Sequence, residues 1–328
     1  MTALATPVRT PVPHRLSSTL LGLVLPVALL AGGALVALSW RDELPDPVAT
    51  HWGTDGPDGF SSFGGALAPL LLGLVLCVGA WAMAFWAGRD GAMRRIAVAT
   101  SAGLGTLFAL ILLGTLSAQR GLADAAQAPG VGGTIVGALL GALAVGIAAA
   151  LLVPRDAPLP TSARVDPAAP RVPLSATQRA AWSRTVTAPA AVVSAVVAIT
   201  ASVVLVAALG AWPVLVVPVI LAALLAVTLV WRVTVDDKGL QARSLVGWPT
   251  VRVPLDEVER AAVVDVRPLR EFGGWGYRLG RGGRSALALR AGQAVEVHRT
   301  GGRVLVVTVD DAATAAALLN TLADRARA

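Results

Sequence analysis

The 328-residue chain is 55% hydrophobic and only 14% charged, with a positive mean hydropathy. Soluble domains carry about 25% charged residues, so this composition excludes a soluble globular protein, and its high apolar content equally excludes a disordered one. The net charge of +7 comes almost wholly from arginine, Lys238 being the single lysine, and the single Cys77 excludes an intrachain disulfide or a cysteine zinc cluster.

The chain opens on a basic tail, 1–15, with Arg9 and Arg15 and no acid. Six apolar runs then approach or exceed the roughly 20 residues a helix needs to cross a bilayer: 16–39, 66–87, 96–118, 131–153, 188–209 and 213–231. None encloses an Asp, Glu, Lys or Arg. Gly and Pro recur inside them, as membrane helices allow. Trp40, Trp86, Trp212 and Trp231 fall at the expected ends, at headgroup level. The first run is too long for a secretory h-region and leads into an acidic segment, so it reads as an uncleaved helix.

The loops alternate in charge. The first, within 40–65, sets Arg41 against Asp42, Glu43, Asp46, Asp55 and Asp58. The second gathers Arg89, Arg94 and Arg95 around Asp90, and the third cancels Arg120 with Asp124. The fourth, 154–187, holds Arg155, Arg164, Arg171, Arg179 and Arg184 against Asp156 and Asp166, and the fifth is uncharged. By the positive-inside rule both termini are cytoplasmic and the loop 40–65 is extracytoplasmic, in a multi-pass protein of the inner (cytoplasmic) cell membrane. The net basic charge is thereby absorbed by topology, and no nucleic-acid partner is expected.

The fourth loop divides the membrane region into four helices, 16–153, and two, 188–231. Pro154, Pro158, Pro160, Pro167, Pro170 and Pro173 make its first part an extended linker. Ser175 to Arg184 reads either as a short interfacial helix, capped by Ser175 with Trp182 toward lipid, or as an ordinary loop.

After Trp231 the composition changes: 232–328 carries 15 basic and 11 acidic residues in 97, about 27% charged. Short apolar or period-two segments at 232–236, 240–245, 250–254, 258–266, 275–279, 285–289, 294–298 and 303–308 predict strands, separated by turn formers. A closing helix is capped by Asp310 or Asp311 and striped by Leu318, Leu319 and Leu322. The expectation is a cytosolic β-rich domain of some seven antiparallel strands, bent around that helix, folding independently and seated against the inner leaflet.

Unusual side chains concentrate at 44–60, on the outer side. Pro45 and Pro47 keep the backbone extended, Gly56 permits a reversal, and His51, Trp52, Asp55 and Asp58 are presented between them. His51 with Asp46, Asp55 and Asp58 has the inventory of a metal site. One imidazole and unspaced carboxylates fall short of the three or four placed ligands such a site needs. The reading is a compact lid on the bundle, in which His51 and Asp55 hydrogen-bond internally while Trp52 and Phe60 anchor it at the membrane interface. No metal or other cofactor is expected. Arg278, Arg281 and Arg284, around glycines at 280, 282 and 283, form a basic tip suited to anionic lipid headgroups at on the order of 1 kcal/mol per Arg, or else a solvated turn. The 273–276 glycines do not make a phosphate loop, since a strand rather than a helix follows them.

Leu44-Pro45, His51-Trp52, Gly56 and Asp58-Gly59 resemble the signature that follows the first helix in the SdpI-like family, whose N-terminal domain is of unknown function. One member of that family is an immunity protein against a secreted toxic peptide and a signal transducer. The C-terminal region more loosely resembles bacterial pleckstrin-homology-like domains, chiefly through Phe272-Gly273-Gly274-Trp275-Gly276-Tyr277-Arg278.

Metalloprotease and serine-hydrolase motifs are absent, and the three histidines, His14, His51 and His298, are separated by the topology. The spans lack the ionisable group that proton-coupled transport generally uses. The expectation is a non-enzymatic envelope-sensing, immunity or protein-interaction role, with a peptide or membrane-protein partner at the outer loop. The alternative is a small-solute transporter or an accessory subunit of one.

Overall fold

The computed structural model describes residues 11–175, 177–210, 212–247, 249–280 and 284–328. Among them five helices are long and apolar enough to cross a membrane: α1 (Arg15–Ser39), α2 (Phe63–Ala87), α3 (Gly91–Ser117), α4 (Gly132–Leu152) and α5 (Pro189–Ala208). A sixth apolar helix, α6 (Val216–Leu229), has 14 residues and reaches about 21 Å, short of a hydrocarbon core of about 30 Å. The chain is a multi-pass membrane protein with a β-rich C-terminal domain.

Helix α3 is the hub of the bundle, packing against α1, α2 and α4. Pro26 in α1 has no N–H, so the Gly22 carbonyl four residues before it lacks its helical donor. The buried Ser101 hydroxyl of α3 fills the vacancy at 2.6 Å, with the Cys77 carbonyl of α2 also within 3.0 Å. One hydroxyl thus ties three helices. Gly105 makes the approach feasible, since a Cβ there would stand 2.5 Å from the Cβ of Pro26.

Two sheets build the C-terminal domain. One runs β3 (Trp182–Thr187), β4 (Val230–Asp236), β5 (Gly239–Ser244) and β6 (Thr250–Val253), all antiparallel. The other has the order β7-β10-β11-β9-β8, from β7 (Val258–Val266), β8 (Gly276–Leu279), β9 (Arg284–Ala288), β10 (Gly292–Arg299) and β11 (Arg303–Thr308). A closing helix, α7 (Ala312–Arg325), packs on β7, β10 and the first sheet. Trp182, Trp231, Val233, Leu240, Val297, Leu305 and Leu319 share the resulting core, and Leu318 and Leu322 join them from the expected stripe.

The strands predicted from period-two patterning lie within two residues of those observed. Four expectations are corrected. The strands are not all antiparallel, because β10 lies between β7 and β11, and β9 joins the far side of β11 in parallel. None of the described residues within 175–184 is helical: Trp182 starts β3 and is buried rather than turned to lipid. Trp231 is likewise a buried core residue, its Nε1 donating to the Thr228 carbonyl at 3.0 Å, and not a headgroup anchor.

The fourth correction concerns where the domain begins. A boundary at Arg232 comes too late, because β3 pairs with β4 along its whole length, from Trp182 opposite Val235 to Thr187 opposite Val230. Helices α5 and α6 are therefore a pair of apolar helices inserted between two adjacent strands of one sheet. The proline-rich linker is extended as expected, but it is strapped to the domain. Its prolines cannot donate to a ladder, so side chains satisfy its backbone instead. Thr321 bonds both the N–H and the carbonyl of Val172, Asn320 donates to Pro170, and Asp324 accepts from Val165.

Candidate functional site

The acidic segment after α1 folds into a hairpin, β1 (Val48–Gly53) and β2 (Gly56–Ser61), reversing through Thr54 and Asp55. Gly56 has φ 124°, a conformation that L side chains rarely adopt. Pro45 is buried, Pro47 is exposed, and the Asp46–Pro47 peptide is cis.

A residue outside the motif holds this hairpin down. Gln119 lies two positions beyond α3 and is fully buried. Its Oε1 accepts the Ala49 N–H at 2.7 Å, and its Nε2 donates to the Ala49 carbonyl at 2.9 Å and the Thr115 carbonyl at 3.0 Å. The amide thus uses both donors and its acceptor. Beside it, Gly121 N–H donates to the Glu43 carbonyl at 2.7 Å, Arg120 pairs with the Glu43 carboxylate at 2.7 Å, and the Arg120 guanidinium covers the Trp40 ring at 4.8 Å. The lid expected from the sequence is present, and α3 is what it rests on.

His51 and Trp52 have different surroundings. Trp52 Nε1 donates to the Pro129 carbonyl at 3.1 Å, and its ring packs near Ala49, Ala125 and Ala128, so it anchors the hairpin to the protein rather than, as expected, at the membrane interface. His51 Nδ1 lies 2.5 Å from Asp58 Oδ1, and these side chains are 74% and 54% exposed. Asp58 replaces the expected Asp55 because the register sets His51 opposite Gly59, leaving Asp55 exposed at the tip. Gly59 makes room for the imidazole, since a Cβ there would stand 2.7 Å from His51 Cβ. Phe60 is exposed. Among the described residues no three His, Cys, Asp or Glu side chains converge as metal ligands.

At the N-terminal end of α3, Asp90 is the N-cap, accepting the N–H groups of Ala92 and Met93 at 3.0 and 3.1 Å. The same oxygen accepts the hydroxyl of Tyr277, in β8, at 2.5 Å. Burial, reinforced by the Asp90 charge, holds the Tyr277 phenol well above its ordinary range, so it stays a donor. Arg94, fully buried, donates to the Gly88 carbonyl at 2.7 Å and pairs with Asp156, which His14 approaches to 3.6 Å.

Within the domain, buried Glu257 accepts from Arg299 at 2.5 Å, Arg303 at 2.9 Å and the linker N–H of Leu159 at 3.1 Å. Burial alone would raise its carboxyl. The two guanidinium groups and the Leu159 N–H outweigh burial and hold it below the ordinary glutamate range.

The three arginines expected at the basic tip differ in placement. Arg278 is exposed and donates to the Trp275 carbonyl at 2.8 Å. Arg284 pairs with Glu296 at 2.5 Å and Glu271 at 3.8 Å, and its guanidinium sits 5.6 Å from the Phe272 ring centroid, so its charge is answered within the domain. Arg281 lies outside the described residues. No protein-family model matches the chain, and no curated protein or solved structure matches it significantly.

Proposed function

We propose that this chain is a six-span inner-membrane protein with cytoplasmic termini that acts without catalysis, as an envelope sensor or interaction protein. An extracytoplasmic peptide or membrane protein engages the exposed His51–Asp58 face of the hairpin. Helix α3 then carries that event to the β domain. One observation carries the reading: α3 is gripped at both ends, with Gln119 holding Ala49 outside and Asp90 held by Tyr277 inside. Its 27 residues span about 40 Å, enough to reach across the hydrocarbon core. The alternation of basic loops supports the orientation, and the apolar run from Trp212 through Leu229 supports the sixth span. The resemblance of the hairpin sequence to the SdpI-like signature, and of the C-terminal region to pleckstrin-homology-like domains, supports recognition rather than chemistry.

Crosslinking and capture from native membranes tests this. His51→Ala should lower captured partner per molecule several-fold while abundance stays near wild type, because the side chain is exposed and, among the described residues, its hydrogen bond is to the likewise exposed Asp58. Trp52→Ala should instead lower abundance, since it removes an anchor. An unchanged capture ratio in His51→Ala overturns the assignment of the hairpin as the recognition surface.

A further inference from the structure

We propose that the membrane-facing end of the four-stranded sheet is a docking surface for the anionic inner leaflet of the same bilayer that the helices cross. The β5–β6 turn dips into the interface and a pair of arginines meets the headgroups. The placement follows from register. Thr187 lies opposite Val230, and Ala188 N–H donates to the Leu229 carbonyl at 3.3 Å. The end of the sheet is therefore the place where α5 begins and α6 ends. Strand β5 finishes there too, with Ser244 opposite Trp231 and the Leu245 N–H donating to the Val230 carbonyl at 3.0 Å.

The turn at that level carries Leu245 and Val246, which are 68% and 59% exposed. Adjacent exposed aliphatics on a domain of ordinary charge mark a contact surface, and here the neighbouring surface is the one that α5 and α6 enter. Several backbone groups beside these aliphatics are already paired. Gly247 N–H donates to Ser244, Ser244 N–H to Pro249, and the Gly247 carbonyl accepts from Arg243 Nε at 2.9 Å. Its burial in an interface leaves these groups paired.

One step along the sheet, the solvent face carries the row Thr185, Arg232, Arg243 and Thr250, and the next such row is Ser183, Thr234, Gln241 and Arg252. Arg232 and Arg243 are direct cross-strand partners, an arrangement that like charges disfavour. Among the described residues neither forms a salt bridge, and neither row contains an acid. Two opposed arginines without a carboxylate are suited to an external anion. Arg232 is three residues past the helix end at Leu229, at most about 10 Å beyond it at ~3.3 Å per residue, so its long side chain can reach back to a headgroup layer about 5–8 Å deep. The arginines thus stand at phosphate level while the aliphatic turn stands below it.

The test uses the full chain, with Cys77→Ala, reconstituted into phosphatidylcholine vesicles with or without phosphatidylglycerol. An environment-sensitive fluorophore is placed at Leu245→Cys, or at Lys238→Cys in the turn at the opposite end of β4 and β5. The Leu245 probe should be quenched by spin-labelled lipid and several-fold less accessible to iodide than the Lys238 probe. Its protection should increase with phosphatidylglycerol, and Arg232→Gln with Arg243→Gln should abolish that increase. These glutamines relieve a like-charge pair, but Arg243→Gln also removes the bond to the Gly247 carbonyl, so Arg232→Gln alone, which leaves that bond in place, should give at least half of the loss. Equal iodide access at both positions overturns the proposal. So does a Leu245 probe shielded from both quenchers, which would place the turn against protein, or protection indifferent to phosphatidylglycerol.

Discussion

The Tyr277 hydroxyl donates to the Asp90 carboxylate at 2.5 Å, so a β-domain side chain shares the group that caps a membrane helix. Tyr277→Phe removes that bond and leaves the two capping bonds from Ala92 and Met93 in place. A hydrogen bond to a charged group contributes about 1.5–3 kcal/mol. The expected result is looser docking of the domain on the bundle, read as faster proteolysis across the 154–181 linker, with helix content unchanged. Asp90→Ala should destabilise further in a thermal melt, because it also costs about 1 kcal/mol of cap.

Gln119 provides the corresponding test at the other end of α3. Gln119→Leu would leave the N–H and carbonyl of Ala49 buried without these partners, at about 1–3 kcal/mol for each group. Hydrogen exchange should show lost protection at Ala49 and its β1 neighbours, while membrane insertion and the α3 amides stay unchanged. Undiminished protection at Ala49 would mean that the remaining contacts hold the hairpin alone.

The contrast between these residues shows what the sequence makes legible. The apolar spans and the C-terminal strands declare themselves by local composition and period. The hairpin declares itself through Pro45, His51, Trp52 and Gly56. Gln119 does not, because a single glutamine after a helix carries no local signal; its role depends on Ala49, 70 residues away. Strand β3 was hidden for the same reason. Trp182 to Thr187 is a short run whose partner lies beyond a 20-residue and a 14-residue helix, so no turn joins the two strands. The exchange of Asp55 for Asp58 reflects register irregularities in β1 between Ala49 and Trp52, which alternation alone cannot place.

Glu257 sets an acid limit. Its folded pKa lies below the ordinary value, so its contribution is present above the unfolded pKa, about 4.3, and is lost as pH falls through the lower folded value. Glu296, lowered chiefly by its hydrogen bond with His298, acts with the same sign. The domain should lose thermal stability steeply below about pH 4. Glu257→Gln should flatten part of that dependence. At neutral pH it should destabilise by about 3–5 kcal/mol, because Arg299 and Arg303 lose a buried counter-charge. An unchanged acid slope in that variant would assign the effect to other carboxylates.

Orientation is checked with single cysteines at Thr54, Ser162 and Thr314, all exposed, in a Cys77→Ala background. A membrane-impermeant maleimide applied to intact cells should label Thr54→Cys alone. Permeabilised cells should expose the other two. Labelling of Thr314→Cys in intact cells would invert the proposed topology.

The inserted pair of apolar helices predicts how the β domain can be isolated. A fragment beginning at Arg232 discards β3 and the strap, and with them the burial of Val165, Trp182 and Val186. Each such side chain contributes about 1.5–3 kcal/mol, against roughly 5–15 kcal/mol for a whole domain. The fragment also exposes the β4 edge along six paired residues. It should melt without cooperativity or aggregate. Because Thr187 and Val230 are direct cross-strand partners, a two-residue Asn-Gly turn in place of 188–229 closes β3 and β4 into an ordinary hairpin. The chain 157–187-Asn-Gly-230–328 should therefore express without the membrane, show mainly β circular dichroism and melt cooperatively. If the fragment from Arg232 melts as cooperatively and at the same temperature, then β3 and the strap are accessories and the domain boundary returns to Arg232.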